Sequence, residues 1–155
     1  MRLTTRTNLA MRTLMHAAVR HPAGLRTADV ARACKASFHH VAQIVNLLEN
    51  AGWLRTARGR GGGLVLAVPA ESIRVGAVFR LLEAEMPFAE CLDSARNSCP
   101  LDGACRLKGL LCEALGAFYA TLDRHTLADL VAGNTALAAV FEASDDADVL
   151  AVPAR

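Results

Sequence analysis

Residues 52–67 of the chain read GWLRTARGRGGGLVLA. Two short apolar segments within this stretch, residues 53–56 and 64–67, have the length and composition of β-strands. Three consecutive glycines and two arginines lie between them, and glycine permits the tight backbone turn that joins antiparallel strands. We therefore predict a β-hairpin with a narrow, basic tip.

Three predicted helices precede this hairpin. Apolar residues at helical spacing place them over residues 4–20, 28–34 and 38–50. Thr27 and Ser37 stand where a side-chain hydroxyl can cap the second and third helices, and Gly52 can end the third. Three helices followed by a hairpin make a winged helix-turn-helix, so the predicted fold class is mainly α with a β-hairpin wing.

The third predicted helix has an apolar face and a polar face. Its polar residues include Gln43 and Asn46, whose side-chain amides match the donor and acceptor that adenine presents in the major groove. Arginines on a thin glycine tip suit a DNA phosphate or a narrow minor groove. The candidate DNA-binding residues are Ser37, His39, His40, Gln43, Asn46, Arg58 and Arg60.

Other interpretations of these residues are open. Polar helix faces are commonly just solvated, and winged helices also bind proteins. A glycine-rich loop can hold nucleotide phosphates, but residues 58–63 lack the Lys-Ser or Lys-Thr pair that completes a phosphate-binding loop. We find no catalytic constellation of serine, histidine and aspartate, and no paired carboxylates, so we predict that the protein is not an enzyme.

The distribution of charge favours a nucleic-acid partner for the first part of the chain. The 155 residues carry a net charge of only +2, but residues 1–70 carry +8 and residues 71–155 carry −6. A basic region attracts a polyanion such as double-stranded DNA. No apolar run reaches the roughly 18 residues of a membrane helix, and the N-terminal residues lack a signal-peptide core. We expect a cytoplasmic protein that binds no membrane.

The second half begins with a predicted helix over residues 74–85, and residues 86–104 show no periodicity. A long helix follows over residues 105–123, with a predicted helix–helix seam that could lie between two subunits. The seam consists of Leu107, Leu111, Ala114, Phe118 and either Leu122 or Thr121. One further helical turn is expected near residues 127–131. The expected division is a winged-helix domain (1–85), a cysteine loop (86–105), a dimerisation helix region (106–134) and a partly disordered tail (135–155).

Four of the five cysteines fall within 22 residues. Thiols stay reduced in the cytoplasm, so such a cluster favours metal binding over disulfides. Cys91, Cys99 and Cys105 are candidate ligands of an iron–sulfur cluster, with zinc as the alternative. Cys112 is either a fourth ligand or a thiol buried in the helix packing, and Cys34 is interpreted as a small buried side chain.

Several motifs resemble one known family. Residues 52–67 are similar to the wing of the dimeric winged-helix iron–sulfur repressors, the family that includes NsrR and IscR, and MRLTT at residues 1–5 is similar to their opening. ACRLK at residues 104–108 and TLADLV at residues 126–131 resemble the NsrR branch. The IscR branch has a histidine where this chain has Lys108. The resemblance extends over residues 1–134.

The resemblance implies a nitric-oxide-sensing transcriptional repressor that binds palindromic DNA as a homodimer. It implies a 2Fe–2S or 4Fe–4S cluster held by Cys91, Cys99 and Cys105, whose nitrosylation releases the DNA. In the NsrR branch an aspartate of the partner subunit can supply a further ligand. The matching residue here is Asn8, whose neutral amide oxygen is a weaker donor. The alternative is a repressor of the same fold that senses redox or iron status.

Overall fold

The computed structural model describes residues 3–57, 63–83, 87–93 and 95–146. Each helix predicted from apolar spacing is present, and so is the hairpin. The elements, in chain order, are α1 (Thr5–Arg20), α2 (Thr27–Ala33), α3 (Phe38–Asn50), β1 (Leu54–Ala57), β2 (Gly63–Leu66), α4 (Val75–Glu83), α5 (Arg106–Asp123), α6 (Leu127–Val131) and α7 (Thr135–Asp146), with short 3-10 turns at Ala70–Ser72 and Glu90–Leu92.

Helices α1 to α3 surround the main core. Thr4 caps α1 by accepting a hydrogen bond from the Thr7 backbone N–H (3.2 Å), and Ser37 caps α3 by accepting one from the His40 N–H (3.2 Å). These hydroxyls satisfy amide groups that have no partner within the helix. The predicted apolar stripe of α3 faces inward, and its members are all buried: Val41, Ile44, Val45 and Leu48.

The hairpin is attached to the segment that precedes α2. Strands β1 and β2 pair antiparallel with Leu54 opposite Leu66. Leu25 extends the pairing: its N–H donates to the Leu64 carbonyl at 3.0 Å, and its carbonyl accepts a hydrogen bond from the Leu64 N–H at 2.7 Å. A Cβ atom at Gly63 would lie 2.8 Å from the Leu25 carbonyl oxygen, where Gly63 has φ +152°. Only glycine fits this approach without strain.

Helix α4 packs against the inner side of α5. Arg80 donates from both terminal nitrogens to the Asp123 carboxylate, each at 2.6 Å, and its guanidinium lies 4.5 Å from the centre of the Tyr119 ring. Phe79 and Phe118 meet edge to face at 6.1 Å. The same part of α4 approaches α5 so closely that a side chain at Gly76 would collide with the Asp123 carboxylate.

The predicted seam of α5 is only partly covered within this chain. Leu111, Phe118 and Leu122 are half-buried within this chain, whereas Leu107 and Ala114 are exposed. At 100° per residue the centres of these two sets lie about 50° apart around the helix. The exposed side forms an apolar stripe with steps of three and four residues, which we call the outer stripe: Leu107, Leu110, Ala114, Ala117 and Thr121.

A helix occupies part of the segment that we expected to be a tail. Helix α7 spans Thr135–Asp146 and packs against α2. Phe141 is only 5% exposed and stacks on the buried ring of His16, with ring centres 4.2 Å apart. Arg32 donates to the Ser144 carbonyl at 3.0 Å. The alanine-rich segment has one strong apolar anchor, Phe141, and only the tertiary contact with α1 shows its role.

None of the helices in the described ranges has the length and hydrophobicity needed to cross a bilayer.

Candidate DNA interface and cysteine segment

The outward face of α3 carries three of the predicted DNA-binding residues. His39, Gln43 and Asn46 are all exposed, since the apolar stripe holds the opposite face against the core. Ser37 lies at the start of the same helix, where its hydroxyl accepts the capping hydrogen bond. A helix with an exposed polar face of this width fits the major groove, which is about 12 Å wide.

His39 and Gln43 are one helical turn apart and contact each other. Gln43 Nε2 lies 3.1 Å from His39 Nε2, and the amide nitrogen is the donor because its lone pair is delocalised into the carbonyl group. The carbonyl oxygen and the second N–H of Gln43 remain directed outward for other partners. This is the donor and acceptor pair that recognises adenine.

His40 lies on a different side of α3 from His39. It is half-buried and lines a cavity of about 420 Å³ with Asn8, Arg12, Cys34 and Lys35. Adjacent residues on a helix point about 100° apart, so His40 turns toward α1 while His39 turns toward solvent. The structure therefore brings His40 together with Asn8, a proximity that apolar spacing did not reveal. Asn8 itself is exposed on α1.

The wing is tied to α3 as well as to Leu25. Thr56 on β1 donates to a carboxylate oxygen of Glu49 near the end of α3, at 2.6 Å. These contacts set the direction of the hairpin relative to the recognition helix. Arg58 and Arg60, the predicted wing contacts, lie outside the described residues.

The three candidate ligands lie in what we call the cysteine segment, the described residues from 87 to 105. Cys91, Cys99 and Cys105 are half-buried and free. Cys91 is in the 3-10 turn Glu90–Leu92, and Cys105 is the residue that precedes α5. The backbone N–H of Cys99 donates to Asn97 Oδ1 at 3.1 Å.

Two carboxylates hold the cysteine segment together. Glu90 Oε1 accepts hydrogen bonds from the Ser98 N–H (2.9 Å) and hydroxyl (2.6 Å), and these bonds lower the pKa of Glu90. Asp102 pairs with Lys108 on α5 at 2.5 Å, and the pKa of Asp102 is lowered chiefly by that lysine. Both contacts are open to solvent, so they shape the segment without burying it.

The donor set fits an iron–sulfur cluster in its chemistry. Thiolates are the usual protein ligands of such clusters, and here three lie within one short segment without long helices or strands. Their side chains do not meet at a single point, since no group of three His, Cys, Asp or Glu residues in the described part of the chain is arranged to hold a metal ion.

The other two cysteines have different surroundings. Cys34 is buried, as predicted, and burial raises the pKa of its thiol, an effect that Arg12 partly offsets. Cys112 is exposed, so the interpretation of Cys112 as a helix-buried thiol is wrong. Beside it, Leu92 from the cysteine segment and Leu115 line a shallow cavity of about 460 Å³.

The fold and the exposed face of α3 define a winged-helix transcriptional regulator. The family model of Rrf2, described as an iron-dependent transcriptional regulator, matches residues 3–133. The chain belongs to the Rrf2 family.

Two curated relatives of this chain carry the name NsrR. The chain is 42% identical to the HTH-type transcriptional repressor NsrR of Streptomyces coelicolor over 137 residues, which are 87% of this chain and 91% of that protein. It is 37% identical to the transcriptional regulator NsrR of Bacillus subtilis over 132 residues, covering 84% and 90% of the two chains. The predicted resemblance to NsrR is confirmed. Because these relatives are transcriptional regulators, the prediction that the protein is not an enzyme is also confirmed.

Solved structures confirm the winged-helix fold. CymR, the global cysteine regulator of B. subtilis, aligns with a TM-score of 0.70 and 26% identity over 84% of this chain and 96% of its own. IscR of T. potens aligns with a TM-score of 0.68 and 20% identity, over 100% and 94% of the two chains.

Proposed function

We propose that the protein is a nitric-oxide-responsive transcriptional repressor of the cytoplasm. It binds palindromic DNA as a homodimer when an iron–sulfur cluster is held by Cys91, Cys99 and Cys105. The observation that carries this proposal is the position of those thiols. They lie between the DNA-binding helices and α5, in a chain 42% identical to a repressor named NsrR.

The outer stripe of α5 supports the homodimer. Leu107 is 58% exposed and Leu110 is 62% exposed, and the stripe repeats with the steps of three and four residues that join paired helices. Apolar side chains in such a row gain free energy when a second helix covers them. Two copies of α5 packed along this stripe also bring two recognition helices to one DNA molecule, as a palindrome requires.

The cysteine segment supports a link between the sensor and the DNA interface. When bound, an iron–sulfur cluster supplies a centre that reacts with nitric oxide. The chain itself transmits the change: Cys105 immediately precedes α5, and Lys108 on α5 holds Asp102 of the segment. Release of the three thiolates frees the segment to relax and to shift α5. The two recognition helices then lose the spacing that matches the DNA.

The three thiolates leave a coordination position for another group. Asn8 is exposed on α1 beside the cavity that His40 and Arg12 also line. A segment of the partner subunit can reach this surface, and the amide oxygen of Asn8 would be a neutral donor there. Such a contact would link the cluster of one subunit to the DNA-binding helices of the other.

Cluster-dependent DNA binding tests the proposal. The chain is purified anaerobically, its visible absorption spectrum and its iron and sulfide content are measured, and its affinity is compared in cluster-loaded, cluster-free and nitric-oxide-treated forms. The DNA is a duplex selected by the loaded protein from a random pool. We expect nitric oxide and cluster removal each to weaken binding about 5- to 150-fold, the range of typical allosteric coupling. Equal affinity in all three forms would refute the proposal.

A redox-sensing or iron-sensing repressor is the second candidate. The description of the matching family as iron-dependent favours it, and it uses the same three thiols. Parallel titrations with nitric oxide, with oxygen and with an iron chelator distinguish the candidates. The nitric-oxide proposal requires nitric oxide to release the DNA at concentrations where oxygen does not.

A further inference from the structure

Phe38 has an unusual position for a large apolar side chain. It is the first residue of α3 and is 60% exposed. The apolar stripe of α3 points into the core, and Phe38, three and seven residues before the buried Val41 and Val45, lies at the edge of this stripe, beyond the core and beside the polar face. Its ring is therefore placed next to the polar face that is proposed to meet DNA.

The exposure of Phe38 matters because Phe38 lies in the first turn of α3. A single exposed apolar residue needs no explanation on an ordinary surface. However, the N-terminal residues of a recognition helix are the ones that contact base edges in a helix-turn-helix protein. Phe38 follows the capping residue Ser37 and precedes His39, so it belongs to this first turn. The turn thus presents an aromatic ring where a base edge would lie.

We propose that Phe38 is a specificity-determining residue that recognises thymine through its C5-methyl group. This inference rests on the proposed binding of α3 in the major groove. The methyl group of thymine is the apolar feature of that groove, and phenylalanine is one of the side chains that contact it. Gln43, about 140° further round the same helix, suits adenine. The first turns of α3 therefore select A·T pairs, with the ring and the amide contacting different base edges.

Deoxyuridine provides a direct test because it differs from thymine only by lacking the C5-methyl group. The full chain, purified anaerobically, is measured by fluorescence anisotropy with the duplex it selects from a random pool. Each thymine is then replaced in turn by deoxyuridine. Removal of one buried methyl group weakens binding about fourfold. We expect this loss at one thymine in each half-site, and about fifteenfold when both half-sites carry the change.

The Phe38→Ala variant shows whether Phe38 is responsible. This variant should bind the thymine duplex about as weakly as the normal chain binds the deoxyuridine duplex. Replacing the sensitive thymine by deoxyuridine should then not reduce the affinity of the variant any further. Phe38→Leu should keep part of the sensitivity because leucine also presents an apolar surface. Since Phe38 carries no charge, the salt dependence of binding should be unchanged in both variants. Val140→Ala, at an exposed apolar residue of α7, is the matched control and should bind normally.

Two results would overturn the inference in different ways. If Phe38→Ala retains the full deoxyuridine penalty, or if no thymine of the selected duplex is sensitive, then Phe38 does not recognise thymine although DNA binding stands. If the normal chain selects no sequence from the pool, the proposed function fails, and this inference fails with it.

Discussion

The two halves of the molecule differ in how far their apolar residues are buried within a single chain. The core between α1 and β2 is enclosed within one chain: Leu14, Val30, Val41 and Leu48 have no exposed surface, and later residues including Ile73, Val78 and Leu127 complete it. Helix α5, in contrast, has 18 residues and none of them is buried. The DNA-binding half is thus stabilised by contacts within one chain, whereas the sensor half presents thiols and an apolar stripe to partners. This difference predicts where substitutions change stability and where they change assembly.

Cys99→Ala should have the largest effect, confined to the sensor half. With one of three thiolate ligands removed, the chain should retain almost no cluster, so iron and sulfide content and the visible absorbance should fall close to zero. Cys34→Ala is the control, because this buried thiol lies in the core rather than in the cysteine segment. A normal iron content in Cys99→Ala would remove Cys99 from the ligand set.

Leu110→Asp should separate the subunits. A dimer along the outer stripe would bury two aspartates without partners, at a cost of about 3–5 kcal/mol each. Light scattering should then give the mass of one chain, 16.4 kDa, instead of twice that value. Val140→Asp is a closely matched control, because Val140 is also 62% exposed, and it should remain dimeric. A dimeric Leu110→Asp variant would place the interface elsewhere.

Phe141→Ala tests whether α7 belongs to the DNA-binding half. Loss of a buried phenylalanine should lower the free energy of unfolding by about 3 kcal/mol, because the ring packs on His16 of α1. Denaturant titration measures this change, and the neighbouring Val140→Ala should change stability by less than about 0.5 kcal/mol. Cluster content should be unaffected. An unchanged stability in Phe141→Ala would mean that α7 contributes little to the core.

The smallest expected effect concerns Glu83, whose contribution to the free energy of unfolding should be lost in acid. Burial raises its pKa, but hydrogen bonds from Thr7 and Thr4 outweigh this and lower the pKa below 4.5. Its ionised form therefore stabilises the folded state above pH 4.5, and this contribution disappears as the pH falls through the lowered pKa. Near neutral pH, Glu83→Gln should cost about 1 kcal/mol.

Unfolding experiments across pH 3–7 would measure the Glu83 contribution. The difference in stability between the normal chain and Glu83→Gln should shrink as the pH decreases. Glu142→Gln, on the exposed side of α7, should follow the normal chain. A difference that stays constant with pH would show that the Glu83 charge does not contribute to folding.

The fold was predictable wherever one chain supplies both sides of a contact. The spacing of Val41, Ile44, Val45 and Leu48 identified the buried face of α3, and through it the exposed face. On α5 the same method did not show which residues this chain covers: Leu107 is exposed, whereas Leu111, one turn later on the same face, is half-buried. Spacing reveals that a helix has apolar sides. It does not reveal which side the same chain covers.

The candidate site was predicted in part for the same reason. Residue type and order indicated the thiols and the polar face of α3. Phe38 was missed because an apolar residue in an amphipathic helix is ordinarily interpreted as core. The proximity of His40 and Asn8 joins residues 32 positions apart in the chain, and the packing of α1 against α3 produces it. No local pattern encodes a cavity lined by both residues.

The amino-acid sequence by itself determined the order of helices and strands, the glycine-rich wing and the group of thiols, because these depend on local propensity and residue chemistry. The tertiary structure alone decided which face of α5 stays open, that α7 closes the core through Phe141, and that only glycine fits at position 63 against Leu25. These features depend on how distant segments approach one another. That approach is set by the packing of the whole chain rather than by any single stretch of it.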